Sequence, residues 1–78
     1  MKKRSVRIAG HPTSISLEDE FWEALRALCA AQGRSLGSLV TEIDARRSGN
    51  LSSALRLYVL AQLQARIAAL EETGAPTS

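Results

Sequence analysis

The stretch TSISLEDEFWEALRALCAAQGRSLGSLVTEIDARR, residues 13–47, decides the fold. It opens with a period of two: Ile15 and Leu17 share one face, and Ser14 and Ser16 the other, the pattern of a half-buried strand. From Leu17 or Glu18 the period becomes helical. Phe21, Leu25, Leu28, Cys29 and Gln32 fall on one stripe, and Glu18, Asp19, Glu20 and Glu23 crowd the first turns, where the helix dipole favours negative charge. Ser16 with Asp19 has the form of a capping box. Gly33 ends this helix in the left-handed position, and Ser35 caps a second one along which Leu36, Leu39, Val40 and Ile43 repeat at helical spacing.

Upstream, Arg4–Ile8 alternates as well, with Val6 and Ile8 on one face and Ser5 and Arg7 on the other. Gly10-His11-Pro12 interrupts the two β-type segments. Downstream, Ser48-Gly49-Asn50 stops the second helix, and Asn50 or Ser52 caps a third, expected over roughly 51–72. Leu51, Leu55, Tyr58 and Val59 form one stripe of that helix. Leu60, Leu63, Ile67 and Leu70 form another, with the 3-4-3 spacing of a short coiled-coil seam. The first half is expected to dock on the core and the second to pack on another helix. Residues 1–11 thus read as a basic arm able to supply an extra strand, 12–48 as the core, 49–73 as the C-terminal helix and 74–78 as a disordered tail.

The chain has 78 residues, 45% of them hydrophobic: too apolar for a disordered tail, yet too short to bury much surface alone. One cysteine (Cys29) and one histidine (His11) cannot form an intramolecular disulfide or a four-ligand zinc site, so no cofactor or metal is expected. The remaining way to gain burial is a second copy. A lone strand also needs a partner for its backbone N–H and C=O groups, and pairing with the same strand of a copy is the economical solution. No apolar run approaches the ~20 residues needed to span a bilayer, and no apolar segment follows the basic N-terminus as in an export signal. With a free thiol, the expectation is a cytoplasmic protein that does not engage the membrane.

The net charge of +2 conceals a polarity. Lys2, Lys3, Arg4 and Arg7 give residues 1–11 a charge of +4, and six arginines against eight acids give the remainder −2. Such an arm suits phosphates, whose condensed counterions it would displace, and equally suits a solubilising tail.

Residues 13–47 resemble the ribbon-helix-helix repressors of the Arc and MetJ type. The likeness rests on Gly33-Arg34-Ser35-Leu36 followed by Ser38, at the right distance from the strand. Lys3-Arg-Ser-Val-Arg-Ile8, Gly10-His11, Thr13-Ser-Ile-Ser-Leu-Glu18 and Phe21-Trp22 are similar to a subfamily of short bacterial members, a resemblance covering roughly residues 3–63. It implies a mainly α fold with a short N-terminal strand, a ribbon-helix-helix homodimer carrying an additional C-terminal helix. It also implies a sequence-specific transcriptional regulator, a repressor whose intersubunit β-ribbon enters the major groove of double-stranded DNA. Thr13–Leu17 is the expected ribbon in preference to Val6–Ile8.

Carried over by position, Ser14 and Ser16 fall where the family reads bases, with Pro12 at the third such place. Ser35 and Leu36 fall where helix-start amides clamp a phosphate, a role that helix termini suit on their own account. Lys2, Lys3, Arg4, Arg7 and Arg34 complete the expected DNA-binding set. Ile15, Leu17, Phe21, Leu25, Leu28, Leu36, Leu39, Val40 and Ile43 form the expected dimer core. The departure is that serine is short and discriminates bases weakly. Either the first strand adds reach beside the ribbon, or DNA is bound with little sequence preference, or the protein binds something else.

Catalysis is not expected. The acids of residues 18–23 read as a solvated, dipole-stabilising set, and the serines lack a second histidine or a nucleophile elbow. Cys29 reads as a buried apolar group, His11 as a loop residue, and Trp22 as packing at the dimer interface or against the third helix. The competing reading is an antitoxin or adaptor with the same dimeric fold, its C-terminal helix serving a protein partner or a higher oligomer.

Overall fold

The computed structural model describes residues 1–74. Two strands, β1 (Lys2–Ile8) and β2 (His11–Leu17), precede three helices, α1 (Asp19–Gln32), α2 (Leu36–Arg46) and α3 (Leu51–Gly74). Of the tail placed at 74–78, Gly74 closes α3 and residues 75–78 lie outside the described residues.

The strands pair with each other, antiparallel, from Lys2 opposite Leu17 to Ile8 opposite His11. Within the chain β1 covers one edge of β2, and no described strand covers the other, which is compatible with the expected pairing of β2 with a copy of itself. The cause of the hairpin is the Ala9-Gly10 turn, whose residues have φ of 52° and 86°. Positive φ at both central positions is what a type I′ hairpin requires, and its twist matches that of the flanking strands. His11 and Pro12 therefore begin β2 and do not break the ribbon. Residues 1–11 supply the extra strand, β1, and Val6 and Ile8 are buried in the core.

The hairpin lies over the helices and turns Val6, Ile8, Ile15 and Leu17 inward. They meet Trp22, Leu25 and Cys29 of α1, Leu39, Val40 and Ile43 of α2, and Leu55 and Val59 of α3. Trp22, expected at the dimer interface or against the third helix, is among the most buried side chains of the single chain, in one cluster with Leu55 and Val59 of α3. Its indole N–H donates to the Lys2 carbonyl at 2.9 Å, fastening β1 to α1. Gln32, expected on the stripe, is exposed, because its amide reaches out to donate to the Tyr58 hydroxyl at 2.9 Å. Burial pushes the Cys29 thiol above its ordinary pKa, leaving a small apolar group.

The helix ends follow local chemistry. Gly33 takes φ 67° at the end of α1, and the Ser35 hydroxyl accepts the Ser38 N–H at 3.1 Å to cap α2. Asn50 caps α3 by accepting the Ser53 N–H at 2.7 Å. The capping box at Ser16 and Asp19 does not form. Ser16 belongs to β2, and Glu18 occupies the N-cap without a side-chain cap.

Ser52 donates instead to the Ser16 carbonyl at 3.1 Å, tying α3 to β2. Arg56 completes the attachment with two hydrogen bonds to Glu18, at 3.0 and 3.4 Å, and its guanidinium lies 5.9 Å from the Phe21 ring centre. A hydrogen bond from its own backbone N–H, followed by Arg56, holds the Glu18 carboxyl below the usual range. Beyond Val59 no element among the described residues covers α3, and those residues are drawn out to 49 Å along their long axis.

Two expectations follow. Ala9 is the one residue other than glycine with positive φ among those described, so Ala9→Asn should raise stability by about 1 kcal/mol, read from urea midpoints. Because the folded Glu18 pKa is depressed, its contribution is present at neutral pH and is lost as pH falls through the carboxylate range. Glu18→Gln should therefore lower stability at pH 7 and lose less between pH 7 and about pH 3 than the parent chain, in denaturation curves across that range.

Candidate nucleic-acid interface

Alternation along the hairpin sorts its side chains into two faces. The inner face carries the four core residues, and the outer one carries Lys3, Ser5 and Arg7 of β1 and Pro12, Ser14 and Ser16 of β2. In register, Lys3 is opposite Ser16, Ser5 opposite Ser14, and Arg7 opposite Pro12. The outer face is thus a flat ribbon of serines with one cation towards each end of β1, roughly 13 Å apart at strand rise. Residues 1–17 contain no carboxylate to offset them. Lys3 is exposed, and Arg7 makes one long hydrogen bond, 3.4 Å, to the Gly10 carbonyl at the turn. A two-stranded ribbon of this kind fits the width of a major groove, where short hydroxyls reach base edges and longer cations reach phosphates.

The expected site residues do not all converge here. Arg4 lies opposite Ile15 on the inner face, half-buried, with its guanidinium 5.8 Å from the Trp22 ring centre. Its Nε is buried without a hydrogen-bond partner. Lys2 and Arg4 line a small cleft with Asp19, Trp22, Glu23 and Arg26, where acids of α1 dilute the positive charge. Arg34 is engaged within the helical layer, bonded to Glu42 at 2.7 Å and to the Ser38 hydroxyl at 3.2 Å. Arg34 in turn holds the Glu42 carboxyl below its usual range.

Ser35 and Leu36 start α2, which packs beneath β1: a methyl group on Gly37 would meet the Arg7 carbonyl oxygen at 3.7 Å. The cap satisfies the Ser38 N–H, so Leu36 and Gly37 carry the open amides of the first turn, next to the strand that bears Lys3 and Arg7. Ser5 is the residue missed. The same alternation that singled out Ser14 places it directly opposite.

Of the expected dimer core, Ile15, Leu17, Leu25, Leu39, Val40 and Ile43 are buried within the single chain, whereas Phe21, Leu28 and Leu36 are only half-buried. Among the described residues no group of three or more His, Cys, Asp or Glu side chains could hold a metal ion. No helix among them is long and apolar enough to cross a membrane.

Residues 1–63 match the family model described as the ribbon-helix-helix domain. No curated protein and no solved structure matches the chain. That match spans both strands, α1, α2 and the docked half of α3. The chain therefore belongs to the ribbon-helix-helix family, whose members are generally non-enzymatic DNA-binding proteins that typically dimerise.

Proposed function

We propose that this protein is a sequence-specific transcriptional regulator, a repressor that binds double-stranded DNA as a homodimer in the cytoplasm. The observation that supports this reading best is the outer face of the hairpin, polar, basic and free of carboxylates. In the proposed mode each chain brings its own ribbon to a major groove. Ser5, Ser14 and Ser16 meet base edges, and Lys3 and Arg7 flank them at phosphates. The α2 start at Ser35 and Leu36 adds its open amides to a neighbouring phosphate, as helix N-termini do.

Serine pairs with any base, so hydroxyls alone discriminate weakly. Two ribbons held at a fixed spacing multiply that discrimination, because both half-sites must match at once. This gives dimerisation a direct bearing on specificity. The half-buried Phe21, Leu28 and Leu36 are apolar surface that a second copy would cover.

A second reading, an antitoxin or adaptor, is favoured by one observation: the row Leu60, Leu63, Ile67 and Leu70 on α3 is 44–63% exposed. In that reading the row receives another protein.

Fluorescence anisotropy against labelled genomic fragments tests the first reading. The parent chain should bind some fragments tightly at moderate salt. Replacing Lys3 and Arg7 with alanine should weaken binding and flatten its salt dependence by roughly one unit of slope per lost phosphate contact. Arg4→Met, on the inner face, should leave that slope unchanged. Equal slopes for the Lys3/Arg7 variant and the parent would remove the hairpin from the interface. In sedimentation equilibrium the chain should have twice its monomer mass; a concentration-independent monomer would contradict the homodimer.

A further inference from the structure

The projecting half of α3 is an apolar row without a partner, and its flanking charges say how it is filled. Leu60, Leu63, Ile67 and Leu70 are spaced by three, four and three residues and are exposed by 50, 44, 55 and 63%. Only one heptad assignment fits: Leu60 and Ile67 at a, Leu63 and Leu70 at d. Leu55 and Val59, which dock α3 on its own domain, are the last buried residues of α3, and the row beyond them stays exposed. The row also has a defined upper end, since one turn earlier the same stripe carries Arg56, engaged with Glu18.

This assignment puts Arg66 at g and Glu71 at e. Both side chains are exposed, and neither enters an ion pair among the described residues. In a parallel two-stranded seam, g of one helix faces e of the next heptad on the other helix, five residues on. Residue 66 and residue 71 are five apart, so two copies side by side would form two symmetric Arg66–Glu71 pairs. An antiparallel seam with Leu60 against Leu70 would bring Arg66 opposite Arg66, a like-charge contact. Leucine at both d positions and the β-branched Ile67 at a also suit a parallel dimer. Around the seam, Ala61, Ala65, Ala68 and Ala69 leave the helices slender.

We infer that the Leu60–Leu70 face of α3 pairs in parallel, about a two-fold axis, with the same face of a second copy of this chain. The inference deepens the homodimer reading by naming a surface on which two copies meet, and it is tested without DNA. A foreign helix would have no reason to match the spacing of Arg66 and Glu71. A second copy matches it by symmetry.

The test uses the full chain in a Cys29→Ala background with single cysteines added along α3. Leu70→Cys should cross-link to itself under mild oxidation, because a parallel seam sets each residue against its own copy. Ala65→Cys, away from the seam, should not. Separately, Arg66→Glu should weaken self-association about tenfold in sedimentation equilibrium, and Arg66→Glu with Glu71→Arg should restore it. Circular dichroism should show the Cys29→Ala background as helical as the parent, and each α3 variant as helical as its own background, since the α3 changes are at exposed sites. The inference fails if Leu70→Cys cross-links only to a Leu60→Cys partner, which would mean an antiparallel seam. It fails equally if Arg66→Glu associates like the parent, or if α3 stays unpaired at all concentrations and takes up a different protein. DNA affinity is a separate readout: a parent chain that self-associates as expected but binds no fragment removes the DNA-binding reading alone, while a parent chain that binds fragments and shows none of the expected α3 cross-linking removes the seam alone.

Discussion

The Ala9-Gly10 turn and the hairpin it closes are the constraint on which the rest of the molecule depends. The turn sets the register of β1 on β2, and with a period of two the register decides which side chains face the helices. A slip of one residue in β1 would turn Val6 and Ile8 outward and bring Ser5 and Arg7 into the core. It would also exchange Lys3 and Arg7 on the ribbon's outer face for Lys2 and Arg4. One local geometry thus serves the core and the candidate interface together, and the Trp22 bond to the Lys2 carbonyl and the Ser52 bond to the Ser16 carbonyl hold it from below.

That arrangement changes what the basic residues mean. By composition, Lys2, Lys3, Arg4 and Arg7 are one cluster of charge. In a strand, neighbours point in opposite directions, so the cluster divides: Lys3 and Arg7 go outward, while Lys2 and Arg4 go towards Trp22 and the acids of α1. Arg4 is held by packing and by the face of an aromatic ring, where a cation gains from the ring quadrupole. Arg34 is likewise drawn into an ion pair with Glu42. The charges left for a polyanion are fewer than the sequence total, and they are arranged in a line.

The helices were legible in the sequence because their signals are local. The stripe Leu25–Leu28–Cys29, the glycine at 33 and the serine at 35 each carry their own physics. So do the apolar positions of α2 and the two stripes of α3, the first docked and the second exposed. Less legible was the pairing of the strands. Both segments alternate, but their meeting each other depends on an Ala-Gly turn, which is weaker as a pattern than Asn-Gly. The hydrogen bond of Trp22 was not legible for a related reason: its partner is the backbone of β1, which enters the core only once the hairpin closes. Among the expected interface residues, those at alternating outward positions stay together, and those grouped only by charge do not.

The central claim is that the outer face of the hairpin is the surface that meets DNA. The most direct measurement is the change in backbone amide chemical shifts when a short duplex, chosen from the bound fragments, is added to the protein. The account predicts that the largest changes fall on Lys3, Ser5, Arg7, Ser14 and Ser16 and on Leu36 and Gly37 at the start of α2, with residues 60–70 of α3 unaffected. Changes confined to α3, or strands that remain unperturbed at saturating duplex, would contradict it.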